Sequence, residues 1–440
     1  MKWTKDQQKV IELRDKNILV SAAAGSGKTA VLVERIISMI SEGDDPIDID
    51  KLLIVTFTNA AAAEMRERIG QAIEEKIAYE PANLHLQKQM MLIHNAQITT
   101  IHSFCLFVIR NYFNLIHIDP SFRVANESEL VLLKSDVIEN LLEDYYEKED
   151  EDFLYFVECF ASGKTDDVIE ELILKLHNFS MSFPWPEEWL DEKKNAFDID
   201  EVEDMENTDW MLSLKSYLEY VIEDIEVKYE ELVALCNETD GPEAYLEAIY
   251  SDIEQVEKLK ELKNQKALST YAMYYEGFSD FTFKALSRKR QKDVAEEKKD
   301  LAKNIRQEVK DIINDIIKSY FFQPPEDMLE DIRAMKPAME VLIKITKDFT
   351  EAFNKKKAER NLVDFNDLEH NCLDILVKRE DGKLIYSSAA DELAKYYEEI
   401  LVDEYQDSNF VQETILNSIS RERYGKPNRF MVGDVKQSIY

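Results

Sequence analysis

The sequence predicts an α/β fold in which a parallel sheet carries helices on both faces and is interrupted by a large, mainly helical inserted domain. Apolar strand-like runs alternate with helical patterns at both ends of the chain, whereas the middle has long charged helical patterns and few strand signals. The 440 residues, 45% of them apolar, suffice for more than one domain. We therefore expect residues 1–125 and 356–440 to form one lobe and residues 126–355 to form the insertion.

The individual elements follow from local hydrophobic patterns. Short apolar runs between helical patterns are expected to be buried parallel strands, and longer periodic stretches are expected to be helices. The predicted strands are residues 17–21, 52–56, 97–100, 399–402 and 429–432. The predicted helices are residues 29–41, 59–75, 103–112, 216–230 and 293–320.

The charge of −35 is unevenly distributed. Residues 1–139 have 15 basic and 19 acidic side chains, residues 140–360 have 30 and 54, and residues 361–440 have 9 and 16. The acidity is therefore concentrated in the predicted insertion, and the total does not exclude nucleic acid as a partner of the ends. A basic cluster at residues 288–292 could touch a nucleic-acid backbone, but a solvated helix face is the preferred interpretation.

Neither the hydrophobic runs nor the cysteines indicate export or a membrane. No apolar run reaches 18 residues, and the polar start has no signal-peptide core, so we expect no membrane contact and a cytoplasmic protein. The four cysteines are far apart in sequence, and we expect them to be buried, reduced thiols.

A loop typical of phosphate binding follows the first predicted strand. It consists of Ala22, Ala23, Ala24, Gly25, Ser26, Gly27, Lys28 and Thr29. Glycines let the backbone curl around an anion, and the next helix directs its positive end to the same place. Lys28 suits the β- and γ-phosphates of a nucleotide, and Thr29 offers a hydroxyl to Mg²⁺. Ala22 replaces the usual first glycine, and a glycine-rich turn without function is the alternative.

A carboxylate pair, Asp403 and Glu404, directly follows the apolar run 400–402. Because the carboxyl ends of parallel strands form the ligand edge of a sheet, we expect the pair near the phosphate loop. Asp403 suits the Mg²⁺ of a bound nucleotide, and Glu404 suits the water that attacks the γ-phosphate. Acidic residues often follow strands, so the pair is informative only together with the loop.

Several segments, in the expected order, resemble motifs of superfamily 1 DNA helicases of the UvrD/Rep/RecB type. They are residues 4–8 (the Q motif), 56–65 (TFTNAAAAEM, motif Ia), 99–104 (TIHSF within it, motif Ib), 403–407 (DEYQD, motif II) and 432–440 (VGDVKQSIY, motif III). Residues 21–29 and 119–124 resemble the AddA family of bacterial helicase–nuclease subunits. The resemblance implies a RecA-like P-loop lobe, ATP and Mg²⁺ as cofactors, and 3′-to-5′ movement on single-stranded DNA in double-strand break repair. The helical middle matches only in placement and character.

The resemblance also implies roles for three glutamines in nucleotide binding. Gln7 matches the residue that reads adenine, since an amide can pair with the N6 and N7 edge of that base. Gln8 is adjacent, and the choice between the two stays open. Gln406 and Gln437 match residues that sense the γ-phosphate, and Gln437 is expected to couple it to the DNA groove.

For DNA, the resemblance implies aromatic and short polar contacts. The aromatic candidates are Phe57, His102 and Tyr440, because flat rings stack on bases without reading sequence. The polar candidates for phosphates are Thr58, Asn59 and Thr100. Alternatively, Phe57 is a core residue, His102 belongs to a helix cap and Tyr440 is simply the end of the chain.

Two further expectations concern the extent of the motor. Residues 364–368 resemble a family segment that re-enters the lobe, but a helix cap by Asp364 or Asn366 is preferred. The sequence ends at Tyr440, inside motif III. By resemblance we expect a second motor lobe and a nuclease domain to lie beyond it, so that this chain is an N-terminal part with poor activity alone.

The partners implied by the resemblance are single-stranded DNA, duplex DNA ends and an AddB-like subunit in a heterodimer. Two alternatives remain. One is a UvrD/Rep-like repair helicase without a nuclease. The other is a non-enzymatic DNA-binding or partner-docking module with a vestigial P-loop, against which the intact set of Lys28, Thr29, Asp403 and Glu404 speaks.

Overall fold

The computed structural model describes residues 3–23, 25–43, 46–116, 118–161, 165–262, 270–289 and 294–434. They divide into two compact units. The first comprises the described residues of Met1–Lys148, Asp166–Trp189 and Ile345–Tyr440, and the second those of Glu149–Thr165 and Leu190–Lys344.

Five parallel strands form the central sheet of the first unit. In chain order the strands of the described chain are β1 (Ile18–Ser21), β2 (Leu52–Thr56), β3 (Gln97–Thr100), β4 (Arg123–Val124), β5 (Leu362–Val363), β6 (Val377–Glu380), β7 (Lys383–Tyr386), β8 (Glu399–Val402) and β9 (Arg429–Gly433). The sheet order is β1-β9-β8-β2-β3, so strands from both ends of the chain interleave. The pairs β4–β5 and β6–β7 are separate two-stranded ribbons. The predicted parallel sheet is confirmed, with β1 starting one residue late and β9 reaching Gly433.

Helices make up most of the remaining chain. They are α1 (Lys5–Glu12), α2 (Lys28–Ser41), α3 (Asn59–Tyr79), α4 (Leu84–Leu92), α5 (Ile101–Tyr112), α6 (Glu127–Glu147), α7 (Glu151–Phe160), α8 (Asp167–Ser180), α9 (Pro186–Lys194), α10 (Asp209–Cys236), α11 (Leu246–Leu262), α12 (Thr270–Ser279), α13 (Glu296–Tyr320), α14 (Pro325–Glu359), α15 (Phe365–Leu376), α16 (Ser388–Tyr396) and α17 (Phe410–Ser418). Each predicted helix is present, and α10 is longer than its pattern at both ends.

The sheet is covered on both faces because successive side chains of a strand point to opposite sides. Leu53 and Val55 of β2 pack into one apolar cluster with α5, α15, α16 and α17. Their neighbours Leu52 and Ile54 pack into another cluster with α2 and α3. All five residues of β2 are buried, as expected of a central parallel strand.

The second unit is helical throughout its described residues. Its core is a single apolar cluster built mainly from α10, α11, α12 and α13. Inside it, Arg306 donates from Nε to Asp252 Oδ2 at 2.7 Å and from Nη2 to Asp252 Oδ1 at 3.0 Å. Both side chains are buried, so removal of either one would leave a buried charge unpaired.

Two simpler observations complete the fold. In the described part of the chain, no helix combines the length and the apolar character that a membrane crossing requires. Three cysteines are buried as predicted, but Cys159 is exposed, and the prediction is wrong there. Cys159 lies one turn after the exposed Tyr155 on α7, outside the face that buries Phe153 and Phe156.

Candidate functional site

The predicted phosphate loop connects β1 to α2 at the carboxyl edge of the sheet. Gly25 and Gly27 have φ angles of 75° and 84°, a left-handed conformation that strongly favours glycine. Gly27 is also the N-cap of α2, so the N–H groups of the first helical turn open toward the loop. Ala22 N donates to Gly433 O at 3.1 Å, which ties the loop to β9. Ala23 accepts from Ser26 N, and Ala24 lies outside the described residues.

Lys28 is the most telling residue of this loop. Its side chain is only 10% exposed, and its Nζ has no hydrogen-bond partner among the described residues. The nearest counter-charge is Glu404 Oε2, at 3.8 Å. A buried ammonium without acceptors is costly, and an anion in the loop would supply them. Thr29, the next residue, is half-buried in the first turn of α2.

Asp403 and Glu404 come directly after β8. Asp403 N donates to Val55 O at 2.9 Å, which sets the carboxylate at the end of the sheet. Burial and, secondly, the charge of Glu404 raise the pKa of Asp403 above its ordinary value. Glu404 adopts a left-handed φ of 54°, and its N–H donates to Asp403 Oδ1 at 3.1 Å. Such a conformation costs a non-glycine residue about 1 kcal/mol or more, and residues of this kind cluster at functional sites.

Gln406 connects the carboxylate pair to the end of β9. Its Nε2 donates to Glu404 Oε2 at 2.8 Å, and its Oε1 accepts the N–H of Asp434 at 2.9 Å. Gly433 makes this approach possible, because a Cβ there would lie 2.5 Å from Gln406 Oε1. Gln437 lies outside the described residues.

The structure separates the two adjacent glutamines of α1. Gln7 Nε2 donates to Ser26 O of the phosphate loop at 3.2 Å, while its Oε1 accepts the N–H of Thr4 in a capping box. Gln8 donates to Glu12 on the exposed surface of the same helix. Gln7, and not Gln8, therefore lies at the loop.

The first group of predicted DNA contacts follows β2. Phe57 is 43% exposed, so the alternative that it is a core residue is wrong. Thr58 is the N-cap of α3 and accepts the N–H of Ala61 at 3.0 Å, which leaves its hydroxyl proton available. Asn59 is exposed at the start of α3.

The second group follows β3, and here one prediction needs correction. Thr100 is only 6% exposed; its hydroxyl donates to Ser103 Oγ and accepts Ser103 N as the N-cap of α5. This burial does not fit a contact with DNA phosphate. His102 is not the cap. Its Nε2 lies 2.9 Å from Glu369 Oε1, and its ring centroid is 4.8 Å from that of Phe365. Tyr440 lies outside the described residues.

A single cavity of about 1320 Å³ joins the nucleotide and DNA candidates within the first unit. Its lining includes Phe57, His102, Asp403, Glu404 and Gln406. Helix α8 supplies a further wall with three carboxylates, Asp167, Glu170 and Glu171.

Three lining residues were missed by the sequence reasoning: Glu369, Asn409 and Gln412. They belong to no motif, and no sequence signal indicated that α15 and α17 meet at this cavity. Asp364, by contrast, caps α15 in a capping box with Asp367, as the preferred interpretation predicted.

Comparison with known proteins identifies the family. The family description "UvrD/REP helicase N-terminal domain" matches residues 3–315 and 244–440. Among curated relatives, proteins of Lachnoclostridium phytofermentans, Clostridium botulinum (strain Alaska E43) and Acetivibrio thermocellus are 53%, 45% and 42% identical. Each match covers 100% of this chain and 32–35% of the relative. All three relatives are named as the first, or A, subunits of an ATP-dependent helicase/nuclease.

The chain therefore spans about a third of the length of these curated relatives. The resemblance found in the motifs is confirmed, together with the α/β fold of the motor lobe. By this match the chain belongs to the UvrD/REP helicase family, of which it carries the N-terminal domain.

Proposed function

We propose that this chain is the N-terminal motor portion of an ATP-dependent DNA helicase–nuclease subunit for double-strand break repair and recombination. It couples ATP hydrolysis to 3′-to-5′ translocation on single-stranded DNA. The observation that carries the proposal is the buried Lys28 Nζ, 3.8 Å from Glu404, at the end of a sheet whose edge also presents Phe57 and His102 to one cavity. The nuclease and the polarity rest on the resemblance and on the relatives' names.

ATP binds, in this proposal, at the loop of residues 22–29. Backbone N–H groups and Lys28 contact the phosphates, and the Gln7 amide pairs with the adenine edge. Support comes from the left-handed glycines, the unpartnered Nζ and the hydrogen bond from Gln7 to Ser26.

The acidic residues hold the metal and the attacking water. Thr29 and Asp403 fit Mg²⁺, since a hydroxyl and a carboxylate are oxygen ligands of the kind that it prefers, and a cation would offset the burial that raises the pKa of Asp403. When bound, Mg²⁺ neutralises charge on the phosphates. Glu404 orients the water and accepts its proton, at the end of the ion pair with Lys28.

Nucleotide sensing is assigned to Gln406 and, by resemblance, to Gln437. Gln406 contacts both Glu404 and the backbone of Asp434, so a change at the carboxylate would be felt at the end of β9. Motif III continues from there toward Tyr440 in the sequence, which is the proposed route to DNA.

Single-stranded DNA is bound by stacking and by short polar groups. Phe57 and His102 offer partly exposed rings, and Thr58 and Asn59 offer groups to phosphates. Tyr440 stays a candidate by resemblance, and Thr100 is assigned to helix capping.

The surrounding assembly is also proposed. The relatives are named as subunits, which favours a heterodimer with an AddB-like partner, acting at duplex ends in the cytoplasm. We further propose that residues 1–125 and 356–440 form the ATPase lobe and that residues 126–355 are its insertion. The word "nuclease" in those names favours this interpretation over a repair helicase without nuclease.

The test is steady-state ATP hydrolysis with and without single-stranded DNA, for the 440-residue chain and for the complete protein. We expect DNA to stimulate the complete protein strongly, this chain to respond poorly, and Lys28→Ala to abolish the activity. If DNA stimulates neither form, with the partner subunit present, the non-enzymatic module becomes the better account.

A further inference from the structure

We infer that Glu369 is a positioning residue that holds the His102 ring in the orientation presented to single-stranded DNA and fastens it to the helix that follows the nucleotide-site carboxylates. The inference rests on the proposed DNA role of His102. It concerns a residue outside every helicase motif found in the sequence.

Glu369 is an almost fully buried carboxylate that receives three donors. The side chain of Glu369 is 2% exposed. Its Oε1 lies 2.9 Å from His102 Nε2 and accepts Gln412 Nε2 at 2.7 Å, while its Oε2 accepts Asn409 Nδ2 at 3.0 Å. Burial alone would raise the pKa of Glu369, but the hydrogen bonds from His102 and from the two amides hold it below its ordinary value.

Only a carboxylate satisfies all three donors. Asn409 is the N-cap of α17, and its Oδ1 accepts the N–H of Gln412 at 2.8 Å. The Asn409 amide therefore cannot flip without breaking the cap, and its Nδ2 must face position 369. An amide side chain at position 369 would place an NH₂ group against a donor, whereas both oxygens of a carboxylate accept.

The same contact fixes the tautomer and the direction of the His102 ring. Because a carboxylate can only accept, His102 Nε2 carries the proton. The ring stays 34% exposed and leans on Phe365 at a centroid distance of 4.8 Å and an angle of 44°. A ring held in place before DNA arrives loses less conformational freedom on binding than a mobile one.

Glu369 also joins two segments that the sequence separates. His102 follows β3, whereas Asn409 begins α17 directly after the turn Tyr405–Asp407, which follows Glu404. One buried carboxylate thus spans the DNA-facing ring and the segment that follows the nucleotide-site carboxylates.

The test uses an oligo-deoxythymidine probe and the complete protein together with its partner subunit. Wild type, Glu369→Gln, His102→Ala and the double variant are compared, with Asp374→Asn, an exposed carboxylate on the same helix, as the matched control. The readout is the probe concentration that half-maximally stimulates ATP hydrolysis, set against the maximal rate.

We expect Glu369→Gln to raise the half-maximal concentration about 5- to 10-fold, with a smaller change in the maximal rate. The double variant should bind no more weakly than His102→Ala alone, because Glu369 acts through His102. Wild-type affinity in Glu369→Gln, or additive losses in the double variant, would overturn the inference.

Two further outcomes are separable. If wild type itself is not stimulated by DNA, the proposed function fails, and this inference fails with it. If Glu369→Gln does not fold, as judged by circular dichroism, Glu369→Asp replaces it in the cycle. The shorter side chain cannot reach all three donors, so weaker DNA stimulation is expected and unchanged stimulation would count against the inference.

Discussion

Gln406 lies so close to the backbone of Gly433 that no side chain fits between them. Its Oε1 accepts the N–H of Asp434 at 2.9 Å, and a Cβ on Gly433 would lie 2.5 Å from the same oxygen. Since the other end of the amide donates to Glu404, this contact links two motifs that are far apart in the sequence.

A methyl group at position 433 should break that link. We expect Gly433→Ala to displace Gln406, to cost about 1–3 kcal/mol of stability and to lower DNA-stimulated ATP hydrolysis at least tenfold. Chemical unfolding and a steady-state assay of the complete protein measure the two effects. Gly70→Ala is the matched control, because its new Cβ would meet Ile93 Cδ1 at an ordinary 3.6 Å and alanine favours the helix. Normal activity in Gly433→Ala would show that the Gln406 contact is dispensable.

Replacing Lys28 should have opposite effects on stability and on binding. Lys28→Met removes a buried charge without hydrogen-bond partners among the described residues, so we expect the nucleotide-free protein to gain about 1 kcal/mol. A non-hydrolysable ATP analogue should raise the melting temperature of wild type but not of the variant. An equal rise in both proteins would contradict the assignment of Lys28 to the phosphates.

The two adjacent glutamines should differ in their effect on the choice of nucleotide. We expect Gln7→Ala to weaken ATP binding about tenfold and to reduce the preference for ATP over GTP, whereas Gln8→Ala changes neither. Competition against a fluorescent nucleotide measures both affinities. Thr4→Ala is the control, because it removes the same capping box but keeps the Gln7 amide. A loss of preference in Thr4→Ala would assign the effect to helix capping instead.

His177 should make the first unit sensitive to acid. Burial and, secondly, the charge of Lys134 lower its pKa from 6.5 to about 3, and its Nδ1 bonds Thr350 Oγ1 at 2.8 Å. The folded state thus keeps this ring neutral. As the pH falls below 6.5, the unfolded chain binds a proton that the folded chain refuses, so stability present above pH 6.5 is progressively lost toward pH 3.

At pH 5.0 this loss amounts to roughly 2 kcal/mol relative to pH 7.5. Urea unfolding at the two pH values measures it. His177→Gln, which does not titrate, should lose less stability between the same two values, and the exposed His94→Gln serves as the control. An unchanged pH dependence in His177→Gln would assign the acid sensitivity to other groups.

Local sequence patterns predicted much of the lobe because the signals are themselves local. The run 52–56 is a buried strand with the predicted bounds, since five consecutive apolar or small residues suit the centre of a parallel sheet. Gly25 and Gly27 announced the left-handed turn that they form, and Asp364 the cap that it provides.

The sequence by itself determined the strands, the phosphate loop, the carboxylate pair and the family, because each depends on neighbouring residues in a fixed order. Only the tertiary structure decided the sheet order β1-β9-β8-β2-β3, the choice of Gln7 over Gln8 and the burial of Thr100. It also decided that Glu369 meets His102, 267 positions earlier in the chain. These contacts join segments whose proximity depends on how helices pack on the sheet, and no local pattern encodes that packing.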